Sequence, residues 1–182
     1  KSAARVLAET DTLVERHGPH ALQFADNILS MSYFGDLLPA WAARKDKAYK
    51  FFEIKSNLKR QHVRMLRDAG VRCVQAGVES LSDSTLRVMQ KGVTGAQNLA
   101  ALRWCEEYGV EGLWNLLFGF PGEDPLDYGH TLTLLQKIVH MAPPSAVAPI
   151  RMDRFSPNFE RFREHGFSSV EPVPAYRHVF PL

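Results

Sequence analysis

Arg72 to Gly92 reads R-C-V-Q-A-G-V-E-S-L-S-D-S-T-L-R-V-M-Q-K-G, and this stretch sets the fold class. Cys73 to Val78 is a short, mostly apolar run, the length of a strand covered on both faces. Glu79 and Ser80 fall where that strand should end. Ser82 and Asp83 can cap a helix that carries Leu86 and Met89 on one face. In parallel α/β sheets and barrels, ligands bind at the carboxyl ends of strands. A carboxylate in that place serves packing poorly and suits the grip of ligand hydroxyls.

The same alternation runs outward in both directions. Upstream, residues 2–17 put Ala3, Val6, Leu7, Thr10, Leu13 and Val14 on one helical face, with Gly18 as the stop. A short strand follows at Leu22–Ala25 and ends at Asp26 and Asn27. A helix carries Phe34, Leu37, Leu38 and Trp41. Lys50–Ile54 is a second strand, and Leu58–Ala69 a helix with Asn57 as its candidate cap. Downstream, Thr94–Tyr108 is a helix ending at Gly109, and Val110–Phe118 a strand ending in the turn Gly119–Glu123. Asp124 and Pro125 start a helix, a cap followed by proline at the first helical position. That helix is expected to turn Leu132, Leu135, Ile138 and Val139 inward. Val147–Met152 is the last strand, and little regular structure is predicted beyond Asp153.

Five strands separated by helices demand a mostly parallel sheet with right-handed crossovers. A complete eight-unit barrel takes roughly 250 residues. A chain of 182 residues that opens on a helix is therefore expected to be a partial (β/α) barrel or a doubly wound sheet, one domain with a tail from about residue 153. It starts without Met and inside a helical pattern, which reads as part of something longer.

Composition narrows the function. Apolar residues make up 45% and the net charge is +2, so nothing electrostatic favours nucleic acid or an acidic membrane. No apolar run reaches the roughly 20 residues that span a bilayer. Cys73 and Cys105 read as reduced core thiols, which suits a cytoplasmic setting. The seven histidines show no ligand spacing, and no serine-hydrolase elbow, P-loop or zinc-protease motif is present.

The rim residues that follow the strands are Asp26 and Asn27; Glu53, Lys55 and Asn57; Glu79 and Ser80; Asn115 and the turn Gly119–Glu123; and Arg151, Asp153 and Arg154. Each has an ordinary reading. Asp26–Asn27 and Asn57 fit turns and caps. Gly122–Pro125 fits a turn with a cap. Glu53 lies between apolar residues and would need a partner such as Lys55 or Arg151 if buried. Together they describe a small-molecule site at a barrel mouth, without naming its chemistry.

Three stretches carry a family resemblance. Gln75–Ser80 with Leu86, Met89, Lys91–Gly92 and Thr94 resembles the fourth-strand region of radical S-adenosylmethionine enzymes. Asn115–Glu123 resembles their fifth-strand segment. Phe24–Asn27 takes the place of their second-strand motif as seen in cobalamin-binding members. Phe52–Asn57 and Ala148–Pro157 are similar to the group that matures ribosomally made peptides.

The resemblance implies a partial barrel of that superfamily lacking its first strand. It also implies S-adenosylmethionine, a 4Fe–4S cluster held by a C-x-x-x-C-x-x-C loop, and a deoxyadenosyl radical. In cobalamin-binding members a methyl group passes through the corrinoid. Carried onto this chain, Asp26 and Asn27 would lie near the methionyl ammonium. Glu53, Lys55 and Asn57 would approach the methionyl carboxylate or ribose. Glu79 would accept from the ribose hydroxyls with Ser80 beside it, and Leu117 and Gly119 would pack on the adenine. The three-cysteine loop is absent from residues 1–182. The chain by itself is therefore expected to be inactive, with a peptide as the substrate of the whole enzyme and any corrinoid domain outside it. Two rivals stand beside this reading: a peptide-binding barrel without a cluster, and an unrelated barrel enzyme using Glu53, Lys55 and Asp153 for acid–base work.

Overall fold

The computed structural model describes residues 1–25, 28–44 and 48–179. It opens with helix α1 (Ala3–His17), closed by Gly18 in the left-handed conformation. Strand β1 (Ala21–Gln23) follows, then a 3₁₀ turn (Met31–Phe34), helix α2 (Leu37–Ala43) and strand β2 (Tyr49–Ile54). Helix α3 (Arg60–Asp68) leads to β3 (Val71–Ala76), and helices α4 (Asp83–Val88) and α5 (Gly95–Tyr108) lead to β4 (Glu111–Leu113). Then come β5 (Asn115–Phe118), α6 (Pro125–Lys137), β6 (Ala146–Pro149) and two short helices, α7 (Pro157–Glu160) and α8 (Tyr176–Val179).

β1, β2, β3 and β4 form one parallel sheet in chain order, and β5 and β6 form a parallel pair. Strand neighbours that follow chain order, with helices between them, are the winding of an open partial barrel. The expected single strand Val110–Phe118 is in fact two. The break falls at Trp114, which is buried and donates its indole N–H to the Ala142 carbonyl at 2.9 Å. Anchoring that side chain turns the backbone out of the first ladder. The sheet still curves on without a gap: Asn115 N donates to Val78 O at 3.2 Å, and Leu117 N to Glu79 O at 2.9 Å.

Alternation along the strands explains the layering. Phe52 and Ile54 on β2, and Val74, Ala76 and Val78 along β3 and its extension, are buried against the helices. The intervening residues Glu53, Gln75 and Glu79 look the other way, onto the sheet's open face. Arg72 is the extra residue of a bulge, since Lys50 pairs with Val71 but Phe51 with Cys73. The bulge lets Val71 and Val74 both face inward.

Several expectations need correction. Lys59, not Asn57, holds the N-cap position of α3, where His62 Nδ1 accepts the Lys59 N–H. Leu132 and Val139 are 59% and 82% exposed, because α6 packs by Leu134, Leu135 and Ile138 and buries no residue fully. Glu53 is exposed and makes no ion pair among the described residues; Arg151 pairs with Asp153 instead. An open sheet face leaves Glu53 in water, so it needs no buried partner. Cys73 is only half-buried, while Cys105 is buried. No helix among the described residues is long and apolar enough to cross a membrane.

Candidate functional site

The end of β3 carries the centre of the site. Val78 and Ser80 turn to the helix side and are buried, whereas Glu79 looks onto the open face. Lys91 Nζ lies 2.7 Å from Glu79 Oε1, both side chains being a little over a quarter exposed. Lys91 gets there by a backbone reversal. Just past the C-cap Met89 of α4, Gln90 takes φ 55°, and Lys91 N donates back to Leu86 O. A non-glycine residue in the left-handed region is uncommon and costs about 1 kcal/mol or more. Here it returns a cation to the carboxylate that ends the strand. Lys91 sits in the motif that carried the resemblance, but nothing local in the sequence reveals its partner.

Ser80 has a structural position. Its Oγ accepts the Ser82 N–H at 3.1 Å, and its carbonyl accepts Asn98 Nδ2 at 2.9 Å. Asn98 is fully buried on α5, so this bond fixes the loop from inside. Glu53 on β2, and Lys55 and Asn57 just beyond its end, are exposed, with Glu53 on the face of the sheet where Glu79 lies. Asp26 and Asn27 lie outside the described residues.

Leu117 and Gly119 end β5. The turn Gly119–Glu123 has Gly119 at φ 89° and Gly122 at φ 88°. Its brace is Glu123, whose Oε2 accepts from Gly119 N at 2.8 Å, from Phe120 N at 3.1 Å and from the Tyr128 hydroxyl. The turn-and-cap reading of Gly122–Pro125 thus extends to Glu123 itself, and Asp124 caps α6 by accepting the Leu126 N–H. The tail rests on the same turn, with Gly166 so close to Pro121 that a side chain there would touch it at 3.0 Å. Glu123→Ala should leave two amides without their acceptor and lower stability by about 1–2 kcal/mol. Amide hydrogen exchange at Gly119 and Phe120 checks this: unchanged protection would mean that the brace is dispensable.

Behind the rim, between β5, β6, α4 and α6, lies an apolar cavity of about 400 Å³. Leu116, Phe118 and Val147 form its walls, and Ser80, Leu117 and Gly119 border it. The structure therefore divides the sequence-derived residues. Glu53, Lys55, Asn57 and Glu79 stand on the open face and rim, whereas Ser80, Leu117 and Gly119 meet at the cavity.

Cys73 and Cys105 lie on β3 and α5 and do not form a three-cysteine loop. Burial pushes the Cys73 thiol up to about 11 and the Cys105 thiol up to about 12, which favours the protonated form over the thiolate a metal needs. Among the described residues no three His, Cys, Asp or Glu side chains group as a metal site. The Glu79–Lys91 pair does suit a zwitterionic nucleoside: a carboxylate for hydroxyl donors beside a cation for an anionic group.

Comparison with known proteins bears on this arrangement. A family profile described as the radical SAM superfamily matches residues 1–135. A protein from Pyrococcus horikoshii named as an uncharacterized methyltransferase is 21% identical over 140 residues, which span 75% of this chain and 30% of that protein. The solved radical S-adenosylmethionine methyltransferase TsrM from Kitasatospora setae, with cobalamin and a 4Fe–4S cluster bound, aligns with a TM-score of 0.73 at 19% identity. The alignment covers 96% of this chain and 33% of that one. The cobalamin-dependent S-adenosylmethionine radical enzyme OxsB aligns at 0.64 and 18% identity, over 90% of this chain and 26% of its own. At these identities the likeness is one of fold. The chain spans about a third or less of each of these proteins.

Proposed function

Because the chain belongs to the radical S-adenosylmethionine superfamily, we propose that it forms the S-adenosylmethionine-holding barrel of a methyl-transferring enzyme. The observation that carries this reading is the Glu79–Lys91 pair at the carboxyl end of β3. Ligand hydroxyls would take the place of Lys91 on Glu79, and Lys91 would turn to the methionyl carboxylate. Glu53, Lys55 and Asn57 would approach the methionyl group or ribose from the neighbouring strand. Asp26 and Asn27 are proposed for the ammonium group, and Leu117 with the Gly119 turn for the adenine. Bound S-adenosylmethionine supplies the adenosyl and methyl groups; the cluster's ligands are not supplied by these residues.

TsrM and OxsB are cobalamin-dependent or cobalamin-bound by their descriptions, which supports a corrinoid partner for the intact protein here. One TsrM structure holds tryptophan as its substrate. For this protein we propose a residue within a ribosomally made peptide, on the strength of Phe52–Asn57 and Ala148–Pro157. The test is anaerobic turnover of the intact protein, with reductant and isotopically methyl-labelled S-adenosylmethionine. Release of 5′-deoxyadenosine or S-adenosylhomocysteine, with label entering a peptide, is the expected result. A folded, cofactor-replete protein that binds no S-adenosylmethionine would overturn the reading and favour the peptide-binding barrel.

A further inference from the structure

The first half of α6 stands over the cavity instead of packing into the core. No residue of α6 is buried, Leu126 is 71% exposed, and the side chains that reach the core, Leu134, Leu135 and Ile138, all come from its second half or just beyond its end. Something other than apolar contact must hold its first turn. Among the described residues, the side-chain hydrogen bond that ties this turn to another element runs from Ser84 Oγ to Asp127 Oδ2. Ser84 sits in the first turn of α4, 2.7 Å from the hydroxyl of the helix cap Ser82. Arg87 and His130 flank the same groove.

The consequence lies in what each helix follows. Helix α4 begins just beyond Glu79 and Ser80, and α6 begins at the end of the Gly119–Glu123 turn. The backbone bond from Leu117 N to Glu79 O aligns the strands only as far as Leu117. Past that point the turn is held by Phe118 O, which accepts the Ile150 N–H at 2.8 Å, by the tail at Pro121, and by α6, whose Tyr128 hydroxyl reaches Glu123. We infer that Asp127, on the wall of the cavity, is a positioning residue, a strut that helps set the gap between the Glu79 loop and the Gly119 turn and so shapes the nucleoside site. The inference rests on the nucleoside reading of that site.

The experiment measures S-adenosylhomocysteine affinity by calorimetry on the intact protein and on Asp127→Ala, Asp127→Asn, Ser84→Ala and the double variant Asp127→Ala/Ser84→Ala. Loss of the bond should weaken binding several-fold, up to about tenfold, in each alanine variant, since a charge-assisted hydrogen bond between the two helices is removed. The double variant should be no weaker than either single one, because both remove the same interaction. Asp127→Asn keeps an acceptor oxygen and should recover most of the affinity. Amides of 79–84 and 119–123 should exchange faster together in Asp127→Ala, with the unliganded melting temperature little changed. If Asp127→Ala does not fold, Ser84→Ala and Asp127→Asn still decide. Additive losses, or native affinity in Ser84→Ala, would overturn the strut. A wild-type protein that binds no S-adenosylhomocysteine would instead overturn the nucleoside reading beneath it.

Discussion

Gly95→Ala should destabilise the protein by roughly 3 kcal/mol or more, at or above the top of the usual range for overpacking a core. A Cβ at Gly95 would lie 2.1 Å from the Leu81 carbonyl oxygen and 2.9 Å from its carbon. Both atoms are backbone, so no side chain can swing aside. Helix α5 would have to lift. Yet its first turn is pinned by three contacts: Asp83 accepts the Gly95 N–H at 2.7 Å, Thr94 and Gln97 close a capping box, and buried Asn98 holds the Ser80 carbonyl. The damage would therefore spread into the Glu79–Ser82 loop. Chemical denaturation of the variant gives the number. Gly129→Ala is the control, because Gly129 lies inside α6 with nothing within 4 Å of the added carbon. That change should stabilise by about 0.5–1 kcal/mol, the ordinary helix preference of alanine. Equal stability of the two variants would mean that the close approach at Leu81 relaxes freely.

Glu79→Ala should weaken S-adenosylmethionine binding to the intact protein by on the order of 1–3 kcal/mol, the worth of hydrogen bonds to a charged acceptor. Folding should hardly change, because a partly exposed ion pair contributes only about 0–1 kcal/mol, and the Glu79–Lys91 pair is of that kind. Glu79→Gln keeps an acceptor oxygen and should recover part of the affinity. Lys91→Ala separates two roles for the lysine. If Lys91 receives the methionyl carboxylate, its loss weakens S-adenosylmethionine but spares 5′-methylthioadenosine, which has no such group. If it only occupies Glu79 in the empty site, its loss tightens both ligands. Native affinity in Glu79→Ala with intact folding would remove Glu79 from the site.

The sequence reading held where the signal was local. Apolar runs at Lys50–Ile54 and Cys73–Val78 placed β2 and β3 within two residues of their observed bounds, and Ser82 and Asp124 cap helices as their types suggest. It failed where a distant contact overrides local pattern. Trp114 splits a run that reads as one strand, through a bond to Ala142. Leu132 and Val139 fit a helical apolar face that the fold leaves exposed. For Glu53, which lies between apolar residues, the sequence left both the sheet's inner face and the helix side open, and the structure puts it on the open inner face.

What the sequence determined by itself is therefore the parallel α/β winding, the family, and the strand end at which Glu79 stands. The winding and the strand end follow from periodicity and capping, which act over a few residues or along one element, and the family from the resemblance of Gln75–Ser80 and Asn115–Glu123 to known motif stretches. Only the tertiary structure decided which groups meet there. Lys91 reaches Glu79 because Gln90 takes a left-handed turn, and Ser84 meets Asp127 across 43 positions of chain. Asn98 closes on Ser80, and Gly95 on Leu81. These are meetings of residues far apart in sequence. They depend on how helices settle on a curved sheet, and side-chain packing and backbone reversals set that distance where no local pattern records it.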